Sequence, residues 1–160
     1  MTVVVDATPL ISLSAIRRLS LLQRFYGRIV IARAVYEEVV TQGQGRPGAA
    51  EVVDADWIET RTINNRALLL GMPAHLGKGE AETIVLAREL SAELVIMDEM
   101  AGRRELAGGA IDLIGSIGVL QLAKLQRLIP ALKDDLDALR RVGFHLSDRV
   151  YRACLAAVGE

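Results

Sequence analysis

Five short apolar runs rich in β-branched residues recur along the chain, and each is followed by a stretch of helical character. They are Thr2 to Val5, Arg28 to Ala32, Trp57 to Ile63, Glu93 to Met97 and Ile111 to Ile114. Continuously apolar strands of this kind are covered on both faces, and right-handed helical crossovers between parallel strands supply that cover. The pattern predicts an α/β fold, a doubly wound parallel sheet flanked by helices.

The connecting segments carry helical signals. Leu13, Ile16, Leu19, Leu22 and Phe25 share a stripe across Leu10 to Phe25, and Gly27 stands where a helix C-terminus favours glycine. Ala32 to Thr41 reads as a second helix ended by Gly43, and TQGQGRPGAA is the one loop-like tract. LGKGEAE leads into a helix reaching about Leu90. From Ala131 onward the pattern is helical throughout, with Ser147 as an N-cap, and reads as an appendage to the sheet. A chain of 160 residues suits one domain, with an α/β core over 1–129 and a helical tail over 130–160.

Composition excludes several classes. One cysteine, Cys154, rules out an internal disulfide or a Cys-rich zinc site and is expected on a buried helix face. Trp57, Met97 and Met100 are expected to serve packing. No uncharged apolar run approaches the roughly 18 residues that span a bilayer, and the first residues lack a signal peptide's basic start, so a soluble cytoplasmic protein is expected, with no membrane partner. The net charge of −1 provides no global field for nucleic acid, so any polyanion must be met locally. An apolar share of 51% leads us to expect a homodimer or higher homo-oligomer.

The acids at strand ends carry the chemistry. In VVVDATPL a strand runs into Asp6, with Thr8 placed to cap the next helix and Pro9 suited to its first turn. A plain capping turn would also place an aspartate there. In LVIMDE a second strand ends on Asp98. If strand order reverses beside the first strand, both carboxylates face one crevice, where they repel unless a divalent cation neutralises them. Glu80 of GKGEAE shares a stripe with Ile84, Ala87 and Leu90 and is expected to point inward, with Glu82 on the opposite side. Periodicity does not decide between Glu37 and Glu38.

Rival chemistries each lack a residue. DATPLIS has no glycine-rich dinucleotide turn, Thr8 stands where a haloacid-dehalogenase-type phosphatase needs a second aspartate, and TRTINNR has no phosphoacceptor aspartate for a receiver domain. His75 and His145 accompany no serine or cysteine motif.

The segments VVVDATPLISL, VIARAVYEEVV, LGKGEAETIVLAREL, LVIMDEMAGRRELA and LIGSIGVLQLAKLQRLI, in this order and spacing, resemble the PIN-domain superfamily, in particular a branch of PIN-like nucleases and VapC-like toxins. The resemblance covers about Thr2 to Ile129. It implies a three-layer fold with a five-stranded parallel sheet, and a Mg²⁺- or Mn²⁺-dependent endoribonuclease site formed by Asp6, Glu38, Glu80 and Asp98 as catalytic and metal-binding acids. Arg103 matches an arginine suited to a phosphate, and Thr8 matches a hydroxyl residue beside the first aspartate. An RNA substrate and a small antitoxin partner follow from the same likeness. The alternative is a non-catalytic PIN-like protein acting through protein–protein contacts, and a weaker one is a phosphatase using the same crevice.

Overall fold

The computed structural model describes residues 1–160, and in it the five apolar runs form five parallel strands: β1 (Val3–Val5), β2 (Ile29–Ala32), β3 (Ile58–Arg61), β4 (Leu94–Ile96) and β5 (Asp112–Ile114). Their spatial order is β3-β2-β1-β4-β5. The chain thus builds outward from β1 to β3 and then returns to lay β4 on the other side of β1. Val3, Val4 and Val5 pair with Leu94, Val95 and Ile96. All six are buried, as central strands of a covered sheet must be.

Ten helices surround the sheet. On one face α1 (Ala7–Ala15) and α2 (Ser20–Tyr26) pack against α8 (Ser116–Leu125). On the other, α3 (Arg33–Tyr36) packs against α6 (Lys78–Glu89), which meets α7 (Met100–Leu106). The short helices α4 (Ala49–Asp54) and α5 (Ala67–Leu70) lie in the connections, and α9 (Leu132–Arg141) and α10 (Asp148–Ala157) close the chain.

Several local expectations are corrected. The stripe from Leu10 to Phe25 is two helices, because Arg17 adopts φ +60° and the Arg18 and Arg17 N–H groups donate to the carbonyls of Leu13 and Ser14. That is a Schellman cap built without glycine, and the apolar period survives the break because both halves bury leucines in the same core. Gly27 does end α2, at φ +73°. The segment after β2 is α-helical only to Tyr36 and continues as a π-turn over Glu37–Thr41. Thr8 is not a cap: Asp6 takes the N-cap position and Thr8 lies inside the first turn. TQGQGRPGAA is not the one irregular tract, since residues 62–77 hold no regular element but α5.

The helical tail and several single residues also differ from the pattern. Leu132, Leu136 and Leu139 of α9 are fully buried in the central cluster, so this helix is part of the packed body and not an appendage to it. α10 has no buried residue; Cys154 is only partly covered there. Ser147 caps α10 as expected, its hydroxyl accepting from the Val150 N–H at 3.2 Å. Met97 is fully buried, but Met100 is 61% exposed, because it opens α7 beyond the sheet edge. Trp57 is half-buried against the core. No helix is long and apolar enough to cross a membrane.

Candidate active site

The reversal of strand order between β1 and β4 puts the residues following both strands at one mouth of the sheet. Asp6 follows β1 directly, its N–H donating to the Ile96 carbonyl at 3.0 Å, and Asp98 follows two residues after the end of β4. Asp6 is 2% exposed, and the Thr83 hydroxyl of α6 donates to its Oδ1 at 3.3 Å.

The π-turn delivers Glu38 to the same mouth. A π-turn holds one residue more per turn than an α-helix, which shifts the phase of everything after Tyr36 and explains why an α-helical period does not separate the two glutamates. Glu37 turns away to Arg33 at 3.5 Å and Lys78 at 3.8 Å. Glu38 turns toward Asp6: the point where a Cβ on Gly79 would sit lies 3.8 Å from Glu38 Oε2 and 3.9 Å from Asp6 Oδ1. Glu80, half-buried in the first turn of α6, accepts from the Gly77 N–H at 3.4 Å and sends Oε2 toward Gly102 of α7.

Asp98 is held from the other side. Its Oδ1 accepts from the Ser116 N–H at 2.8 Å and its Oδ2 from the Ser116 hydroxyl at 2.6 Å, so the carboxylate sits on the N-terminus of α8, where the helix dipole favours negative charge. Arg103 lies beside it and donates from Nη1 to the Met97 carbonyl at 3.0 Å. Thr8, half-buried, lines a cleft with Glu38 and Asp98.

The acids disturb one another's protonation. Burial pushes Asp6 up to about 7, reinforced by the charges of Glu80 and Glu38 and opposed by N–H and hydroxyl donors from Ala7 and Thr83. Desolvation also raises Glu38, with Glu99 adding to it. Glu80 is raised by desolvation, then by Glu99 and Glu38, against the Gly77 N–H. Desolvation raises Asp98 despite the Ser116 hydrogen bonds and the Arg103 charge. Clustered carboxylates with raised pKa values are characteristic of sites built to meet positive charge.

A divalent ion fits this donor set in a particular way. The donors are all carboxylate oxygens, which select hard cations, and the charges acting on Asp6 are those of two further carboxylates. No group of three or more His, Cys, Asp or Glu side chains is arranged to hold a metal ion by itself. Magnesium does not require one, since it keeps much of its water and binds through one or two carboxylates.

Four contributing residues escape the sequence pattern. Glu99, which opens α7, is the charge felt by Glu38, Glu80 and Asp98; its signal is only its place behind Asp98. Ser116 anchors Asp98, and Thr83 anchors Asp6. Glu82 is 4% exposed and accepts from the Ala34 N–H at 3.2 Å, at the start of the helix leading to Glu38. The expectation that Glu82 faces away is corrected: α6 is buried continuously from Ala81 to Ala87, so it has no solvent side there.

Gly115 tests the Asp98 anchor. Its φ of −109° suits any residue, yet an added Cβ would stand 2.6 Å from Asp98 Oδ1 and 3.2 Å from Arg103 Nη1. Gly115→Ala is therefore expected to displace the carboxylate and cost about 1–3 kcal/mol of stability. Thermal melts of the metal-free protein measure it, and an unchanged melting temperature would mean that Asp98 is free to move.

Among protein families, a model described as a PIN domain, DUF3368, matches residues 2–160. No curated protein and no solved structure gives a significant match.

Proposed function

The chain belongs to this PIN-domain family, and from that premise we propose that it is a Mg²⁺- or Mn²⁺-dependent endoribonuclease, a VapC-like toxin that hydrolyses RNA phosphodiester bonds and is countered by a small antitoxin. PIN domains are in general metal-dependent nucleases, which supports nucleic acid as the partner. The observation that supports the reading is that Asp6 lies within electrostatic reach of Glu38 and Glu80, beside the strand-order reversal, while Asp98, following the neighbouring strand, lines one cleft with Glu38.

Asp6 and Asp98 would hold the ion, with Glu38 and Glu80 around them. When bound, it polarises the phosphoryl oxygen and lowers the pKa of an attacking water. The chain's own groups do the rest. Glu38 and Glu80, whose carboxyl groups desolvation raises above the ordinary carboxylate range, suit accepting the proton that the water gives up. Asp98 is kept in place by Ser116, so its orientation costs nothing at the moment of reaction. Arg103, tied to the Met97 carbonyl through one N–H, keeps its other donors for the phosphate. Thr8 lies on the lip of the cleft, where its hydroxyl suits the same group.

The test is cleavage of end-labelled single-stranded RNA with Mg²⁺, Mn²⁺ or EDTA, beside a generic phosphomonoester. Internal cleavage with either ion and none with EDTA is expected. Intact RNA under every metal condition would favour the non-catalytic, protein-binding reading, and hydrolysis of the monoester alone would favour a phosphatase.

A further inference from the structure

Two clefts meet at Asp98, and three residues line both of them: Asp98 itself, Phe144 and His145. One cleft, of about 900 Å³, runs past Thr8 and Glu38 to Arg46. The other, of about 650 Å³, runs past Arg103 and along Ile117 toward α10. Phe144 and His145, in the turn between α9 and α10, are thus a ridge dividing the mouth of the acid site.

The ridge is firmly built. Gly143 turns at φ +93°, and the Phe144 N–H donates to the Leu139 carbonyl at 3.0 Å. Arg140 donates to the Leu146 carbonyl at 2.8 Å and 3.2 Å, closing the turn from beneath. Leu136 and Leu139 lock the helix that carries it into the core. An aromatic pair on a rigid support, with one arginine in each flanking cleft, matches the chemistry of a single nucleic-acid strand: π-faces for unpaired bases and forks for phosphates. A duplex keeps its bases stacked inside and has no use for such a ridge.

We propose that single-stranded RNA crosses the Phe144–His145 ridge with one nucleoside in each cleft, Arg46 and Arg103 holding the phosphates on either side of the acid site. This rests on the nuclease reading and adds to it the path of the strand and the residues outside the acid cluster that seat it.

Fluorescence anisotropy tests it, using labelled single-stranded RNA and a duplex of the same sequence. Ca²⁺ serves as the hard cation, and intactness of the RNA is checked on a gel. Wild type should bind the single strand more tightly than the duplex. Phe144→Ala and His145→Ala should each weaken single-strand binding about fivefold or more, the loss of a stacked base. Arg46→Ala should lower the slope of log affinity against log salt by about 0.7, the loss of one phosphate contact. His145 and Arg46 are exposed, so these two variants report even if Phe144→Ala loosens the turn. Single-strand binding unmoved by both exposed variants overturns the proposal and leaves the clefts to a protein segment. If wild type still cuts RNA in that case, the nuclease reading stands; wild type with neither saturable RNA binding nor cleavage ends both.

Discussion

Asp6→Asn is expected to stabilise the metal-free protein at pH 8 while abolishing its dependence on a divalent cation. Asp6 is almost completely buried, and its carboxyl group titrates near 7 in the folded chain, against about 3.9 in an unfolded one. A raised acid binds a proton more tightly when folded, so between these two values unfolding releases that proton and stability falls as pH rises. The decline begins near pH 4 and levels off above pH 7. The gap between the folded and unfolded values sets an upper bound of about 4 kcal/mol, and relaxation around the charge makes about 2–4 kcal/mol the expected loss.

Asparagine removes the charge and keeps an oxygen that accepts from the Thr83 hydroxyl. Its melting temperature should therefore fall less than that of wild type between pH 5 and pH 8, the raised Glu38, Glu80 and Asp98 supplying the slope that remains. Adding Mg²⁺ or Mn²⁺ at pH 8 should raise the wild-type melting temperature, since a ligand bound only by the folded state stabilises it, and should leave the variant nearly unmoved. RNA cleavage by the variant should drop at least about 100-fold, more than the loss of a residue that merely orients a metal ligand produces. A variant less stable than wild type at pH 8, with the same response to metal, would show that Asp6 is a structural cap.

Leu136→Ala should cost about 2–5 kcal/mol. Leu136 is completely buried in α9, in the one cluster that also holds Leu13, Leu120 and the central strands. Truncating it removes apolar contact and leaves a void that close-packed neighbours fill only in part. For a chain of this length the melting temperature should fall by about 4–20 °C. Val150 of α10, 43% exposed, is the control, and its replacement by alanine should change stability by less than about 0.5 kcal/mol. A loss below about 1 kcal/mol for Leu136→Ala would mean that α9 undocks easily. The Phe144–His145 turn would then lose its support.

Much of the fold is legible in the chain because the relevant rules are local. Val3–Val5 and Leu94–Ile96 have the β-branched, uninterrupted apolar character that only a doubly covered strand requires, and all five strands fall within the runs read from the sequence. That Asp6 and Asp98 both follow the same end of adjacent strands depends on one assumption, that the order reverses beside β1, and β1 does pair in parallel with β4; the charges acting on Asp6 are nevertheless those of Glu80 and Glu38, not Asp98.

Elsewhere a local pattern had more than one solution. The leucine stripe through α1 and α2 continues across the break at Arg17, because packing needs the period and not an unbroken backbone. Glu80 and Glu82 look like opposite faces of one helix until both faces are covered; then Glu82 is buried as well and takes the Ala34 N–H. For Glu37 and Glu38 the deciding event is a π-turn, which has no signature in apolar spacing and is held by packing against α1 and α4. Ser116 and Thr83, more than ten residues from the aspartates they hold, have no sequence signal linking them to those positions.

The amino-acid sequence by itself determined which segments become strands and which acids stand at strand ends, because hydrophobic period and backbone preference act over a few residues. Tertiary structure alone decided which glutamate enters the mouth, how far Asp6 is removed from water, what grips Asp98 and where the last helices pack. Those outcomes depend on burial and on contacts between distant segments, and they exist only once the chain has closed around its core.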